Sequence, residues 1–301
     1  MDEKAPDPAD ETPPDEHEEA AGEVDPDAEA EAPEEAEEFP PQPVDPELAK
    51  ALRSLAEEPG LYLAAEPKRM VFQGEGFAFI SYGRLAWVQR LRLKPSQIEP
   101  TIDRVASILG VKGLTEASWW IGLRSRPKDL VERLVALGLE PDDPPTMTSL
   151  AIAKQPEGEP LVEVRRVETS DDFLRALELD WECFGVSEEE RETRRVEAAN
   201  SWATVEKDRR YSTFLAYIDG DPVGFGRSIV TPSAVLMMGG ATLPEARGMG
   251  VYTALVHARW HEAVACSTPR LVVTAGPQST PILRQLGFER INRVHVLKQT
   301  I

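Results

Sequence analysis

Cysteine is scarce: Cys183 and Cys266 are the only two in 301 residues, and neither sits in a CxxC or Cys/His spacing. That excludes a disulfide framework and a zinc finger, and points to a reducing compartment. Long apolar runs are also missing. None approaches the ~18 residues that a bilayer span requires, so no membrane partner is expected. Met1-Asp2-Glu3-Lys4 lacks the basic-then-apolar pattern of a signal peptide, which makes the cytoplasm the expected location. Basic residues are nearly absent from positions 1–47, which hold 20 acidic side chains against one lysine, a net charge of −19. The remainder carries 33 acidic and 32 basic residues and is almost neutral. Its net charge leaves no nucleic-acid footprint.

What is present divides the chain. Residues 1–45 are Pro, Ala, Glu and Asp with few large apolar side chains. Such a segment buries too little surface to offset its ordering entropy, so a disordered acidic tail is expected there. It either solvates the protein or docks on a basic surface. Arg90, Arg92 and Lys94, alternating along a predicted strand over 84–93, are a candidate docking stripe. From Pro46 onward the apolar spacing predicts a short helix over 46–55 and a hairpin around Gly74-Glu75-Gly76. Helices over 98–109 (stopping at Gly110) and 127–137, and strands over 118–123 and 146–153, follow. Gln155-Pro156-Glu157-Gly158-Glu159-Pro160 reads as a linker. Beyond it the order is β-α-α-β-β-β-α-β-α-β, with a hairpin turn at Asp219-Gly220 and a helix from about Gly248 to Cys266. The class is mixed α/β.

The stretch richest in chemistry is Leu243-Pro244-Glu245-Ala246-Arg247-Gly248-Met249-Gly250-Val251-Tyr252. A strand ends, a glycine-containing turn follows, and a helix begins. The first-turn amides of a helix are free and its dipole favours an anion there. Gly248 and Gly250 keep Cβ atoms away from that position, and Arg247 adds a full charge. The lysine of an ATP-binding P-loop is missing. About thirty residues on, Ile282-Leu283-Arg284-Gln285-Leu286-Gly287-Phe288 forms a short helix with a glycine end.

Together these segments resemble the GNAT N-acetyltransferase superfamily over residues 160–301. The resemblance implies a GNAT-like acyl-CoA N-acyltransferase fold, acetyl-CoA as co-substrate, and an amine acceptor. It implies that the pyrophosphate rests on Arg247, Gly248, Met249, Gly250, Val251 and Tyr252, and that the pantetheine arm pairs with the strand bearing Met238, Ala241 and Leu243. Three positions depart from the family pattern. Tyr252 stands where Gly or Ala is usual, and could crowd the cofactor or stack near it. Leu283 stands where a tyrosine acid is frequent, and Gly276 where an asparagine is frequent. Residues 46–154 echo the same element order but read Lys94-Pro95-Ser96-Gln97 at the loop. They look like a degenerate tandem copy that should not bind CoA.

Acyl transfer needs a neutral amine and a polarised thioester carbonyl, whose expected partner is a backbone amide on the strand before Leu243. No carboxylate lies on that strand. Asp180 is the candidate base, because helical spacing places it with Phe173, Leu177 and Phe184 on an apolar stripe, where burial raises a carboxyl pKa. The alternative is a structural aspartate bonded to a neighbouring backbone group or arginine. His257 and His261, four apart, lack a third metal ligand at a sensible spacing and read as surface residues; no metal is expected. Cys183 reads as a half-buried thiol, and Trp181, Trp202 and Trp260 as core or acceptor-pocket walls. Two other functions remain open: a non-catalytic acyl-CoA-binding or regulatory protein, and an interaction protein working through its acidic tail. If the tail only solvates, removing residues 1–45 should leave the melting temperature of the remainder unchanged in a calorimeter.

Overall fold

In a computed structural model the described residues are 46–63, 69–82 and 85–301. The expected tail, residues 1–45, lies outside them. All described residues fall in one compact unit. Its elements are α1 (Pro46–Glu57), β1 (Met70–Gly74), β2 (Phe77–Tyr82), β3 (Leu85–Gln89), α2 (Ile98–Lys112), β4 (Glu116–Ile121), α3 (Leu130–Ala136) and β5 (Glu140–Ile152). Then come β6 (Glu163–Arg166), α4 (Ser170–Cys183), α5 (Glu188–Val205), β7 (Tyr211–Ile218), β8 (Asp221–Val230), β9 (Val235–Thr242), α6 (Val251–Ala265), β10 (Leu271–Ala275), α7 (Thr280–Gln285) and β11 (Glu289–Thr300).

Eleven strands form one sheet in the order β1-β2-β3-β4-β11-β5-β10-β9-β8-β7-β6. Two strands are exchanged at its centre. The last strand, β11, lies between β4 and β5, while β5 lies between β11 and β10. Each repeat of the pattern βαβαβ therefore ends by completing the sheet of the other. Leu297 of β11 is buried among Val105, Trp119 and Leu130 of the first repeat. Leu150 and Ile152 of β5 are buried with Val235, Val256 and Leu271 of the second.

β5 is longer than the strand expected over 146–153, and it begins among Pro141, Pro144 and Pro145. Prolines are tolerated because β10 pairs with β5 only over 148–152, leaving the earlier part with β11 as its sole neighbour. α2 runs past Gly110 and ends at Gly113, whose φ of 66° supplies the left-handed stop. The strand expected over 84–93 ends at Gln89, and Arg90 takes a φ of 55°.

That turn takes Arg90 and Arg92 out of the expected stripe, while Lys94 stays exposed. Arg90 and Arg92 face Glu58, at 3.4 Å and 2.9 Å, and Glu58 is 3 % exposed. Beside it, Glu57 accepts from the Arg124 amide and from Asn292 Nδ2, and burial pushes its carboxyl up. The arginines thus compensate buried carboxylates and are not a vacant basic surface.

On one face of the sheet, α6 and α7 cover Val235, Met237 and Val273. On the other, α1 covers Leu236 and Val272, and α4 covers Leu215 and Phe225. The Ala56 carbonyl accepts from Thr274 Oγ1 at 2.8 Å, and Tyr211 donates to the Tyr62 carbonyl at 2.9 Å. The first helix of the described chain therefore packs on strands of the second repeat. Deleting 289–301 should strip hydrogen-exchange protection from the β4 amides, which would retain only β3 as a neighbour. Retained β4 protection would show that the exchange does not hold the first repeat together.

Candidate functional site

β9 and β10 run parallel, but their pairing stops after Leu271↔Val235 and Val272↔Leu236. β9 continues for six residues and β10 for three, so a slot opens between them toward their C-terminal ends. At its mouth, a single 3-10 turn (Pro244–Ala246) leads from Leu243 to Arg247 and then into α6. Gly248 and Gly250 have φ of 79° and 83°, with Gly250 as the N-cap of α6. A Cβ built on either meets nothing within 4 Å. These glycines are required by backbone conformation, and the space beyond them is open. Among the described residues, no carbonyl accepts from the amides of Gly248, Gly250, Val251, Tyr252 or Thr253. With exposed Arg247 they form a cluster of free donors at a helix N-terminus, suited to an anion.

Deeper in the slot, β9 carries a bulge. Gly226 pairs with Gly240 and Arg227 with Met238, leaving Gly239 as the extra residue at φ 64°. Leu243 N–H donates to Val223 on the β8 side. Alternation from Leu243 turns the Thr242 and Gly240 amides to the opposite edge, toward the slot. Thr242 Oγ1 is buried without a hydrogen-bond partner, and Ala241 and Met238 lie on the same strand.

Arg227, Met238 and Thr213 are register neighbours on three adjacent strands. Arg227 reaches toward α4, where Nη1 lies 3.0 Å from Asp180 Oδ2. The buried stripe of α4 is Phe173, Ala176 and Leu179, with Asp180 at its edge. Phe184, expected on that stripe, is 68 % exposed because the helix ends at Cys183 and Phe184 leaves as its C-cap. Asp180 is thus ion-paired with an arginine beside the bulge. Next to Thr213, a cleft of about 410 Å³ is lined by Trp202, Tyr211, Glu168, Glu206 and Asp208.

Residues 173–288 match the model of the Acetyltransferase (GNAT) family. This stretch is a GNAT domain. A GCN5-related N-acetyltransferase from Kribbella flavida is similar in structure, at 14 % identity and TM-score 0.61, covering 84 % of this chain and 95 % of that one. A tandem GNAT protein from the clavulanic acid biosynthesis pathway is similar at 16 % identity and TM-score 0.54, covering 84 % and 94 %. A conserved protein of unknown function from Staphylococcus epidermidis shares 14 % identity at TM-score 0.57, covering 80 % and 96 %. No curated protein matches the chain. At these identities the likeness establishes a tandem GNAT-like fold.

Within the GNAT domain, Tyr252 does not block the loop. Its ring turns inward against the cluster containing Val256, Met237 and Leu283, with the Arg259 guanidinium carbon 5.8 Å from the ring centre. Burial pushes its phenol pKa up, while Arg259 pulls it down. Leu283 is fully buried in the core, so no acid stands at that position. Cys183 is half-buried, and burial, with Asp180 adding, pushes its thiol up. That keeps it protonated and poorly nucleophilic. His257, expected at the surface, is 2 % exposed, with Nε2 3.4 Å from the Glu157 carbonyl. Among the described residues no cluster of three or more His, Cys, Asp or Glu could hold a metal. No described helix is long and apolar enough to cross a membrane.

The matching slot of the first repeat is closed. β3 and β4 pair through Val88↔Trp119, and beyond that point Arg126 donates to the Leu91 carbonyl while Leu93 donates to Arg126. Sequence reasoning missed Arg227, Arg259 and the bulge. The adjacent pair Gly239-Gly240 inside a strand was the available signal for the last. Replacing Gly250 with alanine should cost about 1–2 kcal/mol from the left-handed φ alone, read by urea unfolding. A larger loss would reveal a steric contact at the loop.

Proposed function

We propose that this protein is an acyl-CoA-dependent N-acyltransferase that moves an acetyl group from acetyl-CoA to an amine. The observation that carries the reading is the slot between β9 and β10, which runs from a loop of free amides to a bulge with slot-facing amides. Such a channel fits a ligand with phosphates at one end and a reactive carbonyl at the other. Arg247 and the amides from Gly248 to Tyr252 would hold the phosphates. Met238, Ala241 and Leu243 would line the arm. Of the two divisions, 160–301 is read as the competent unit and 46–154 as the degenerate one.

When bound, the thioester supplies the acyl group. The amine nitrogen attacks the carbonyl carbon, the C–S bond breaks, and the amine loses a proton. Fixed amides on β9 would meet the charge developing on the carbonyl oxygen. Asp180, oriented by Arg227, would take the proton directly or through water. The cleft beside Thr213, walled by Trp202 and Tyr211, is the proposed acceptor entrance. A thiol pKa near ~8.5 makes the thiolate a tolerable leaving group without an acid at Leu283. Orientation alone supplies roughly 7–11 kcal/mol of the barrier in well-aligned reactions.

Leu283 and Gly276 favour a second reading, an acyl-CoA-binding protein without turnover. Both readings expect acetyl-CoA to raise the melting temperature, and Gly250→Trp to abolish that shift. An unchanged shift in this variant would place the ligand elsewhere. Turnover with a panel of amines separates the two readings. If turnover occurs, Asp180→Asn should lower kcat about 100-fold while acetyl-CoA affinity holds. A merely structural Asp180 would instead lower thermal stability and keep turnover per folded molecule.

A further inference from the structure

Arg259 is 1 % exposed, yet no carboxylate among the described residues lies within ion-pair distance of it. Its Nε donates to the Leu255 carbonyl at 2.9 Å, and its Nη2 is buried with no acceptor. Burial pulls its pKa down, as expected of a cation held away from water. The Tyr252 phenol oxygen accepts from the guanidinium, but Nη2 is left as a spare buried donor, which is costly to keep.

The sheet is shaped around this group. A Cβ on Gly226 would come within 3.1 Å of the guanidinium carbon. On Gly240, a Cβ would lie 3.6 Å from Nη1. Both glycines adjoin the bulge at Gly239. On the slot side, the Tyr252 ring stands against the guanidinium. Arg259 therefore lies under the bulge, between a strip of glycines and the Tyr252 ring.

Its place along α6 selects what it can touch. Arg259 is eight residues from Val251, about 12 Å along the helix axis. A phosphate held at the first turn is beyond its reach. The pantetheine arm, an uncharged chain whose amide carbonyls are hydrogen-bond acceptors, would run along this stretch. Resting on the reading of 160–301 as an acyl-CoA site, we propose that Arg259 is a positioning residue that donates from Nη2 to a carbonyl oxygen of the pantetheine arm. Tyr252 keeps the guanidinium in place.

The test is calorimetric binding of two probes, CoA and adenosine 3′,5′-bisphosphate, which lacks the arm. Arg259→Met should weaken CoA binding about ten- to a hundredfold and leave the bisphosphate unchanged. Gly226→Ala keeps the charge but pushes on the guanidinium, and should reproduce the selective loss in a protein with native circular dichroism. Equal CoA affinity in folded Arg259→Met, or equal loss for both probes, overturns the proposal while leaving the acyl-CoA reading intact. Should Arg259→Met fail to fold, Gly226→Ala decides by the same two probes. Absence of CoA binding to the unmodified protein overturns the acyl-CoA reading, and this proposal with it.

Discussion

The antiparallel pairing of β5 with β11 is the constraint on which the rest of the molecule hangs. Each strand closes the sheet of the other repeat, so neither repeat contains all of its own core. The consequence reaches the functional site. β10 is held along its whole length by β5 but touches β9 at only two register positions. Anchored on one side, β10 can part from β9 without leaving the sheet. The slot of the second repeat thus depends on a strand supplied by the first.

The two repeats use the same geometry differently. In the first, the backbone of Arg126 stitches β3 and β4 together beyond their splay. Its neighbourhood is then given over to arginines around Glu57 and Glu58, which tie α1 to β11 through Asn292. Buried carboxylates are tolerated there because cations and amides surround them. In the second repeat the slot remains apart, and the polar groups near it are left without partners. Thr242 Oγ1 and Arg259 Nη2 are both buried donors of this kind.

Charge in the second repeat is arranged in layers. Arg247 is exposed at the loop, Arg259 is enclosed beneath the bulge, and Arg227 pairs with Asp180 on the opposite face. Gly226 and Gly240 allow these layers to approach the strand backbone, since a Cβ would crowd the Arg259 guanidinium at 3.1 Å from the first and the Phe225 carbonyl at 3.2 Å from the second. Tyr252 belongs to the same construction. The phenol at the position where the family pattern has Gly or Ala is drawn into the core and leaves the loop amides open.

The sequence by itself determined the mixed α/β class, the order of elements, the glycine loop at 247–250 and its place before a helix. These are local matters, set by the spacing of apolar residues and by turn chemistry over ten or fifteen positions. It also marked Leu283 as unable to act as an acid. Tertiary structure decided what depends on distant partners. Helical spacing set Asp180 on an apolar stripe, but only folding brings Arg227, 47 residues away, to 3.0 Å from it. Alternation made Arg90 and Arg92 a surface stripe, whereas the turn at Arg90 and the end of α1 deliver them to Glu58. The strand exchange leaves no local trace at all. β5 and β11 carry the same alternating pattern whichever sheet they join, because periodicity records which face is buried and not which neighbour buries it.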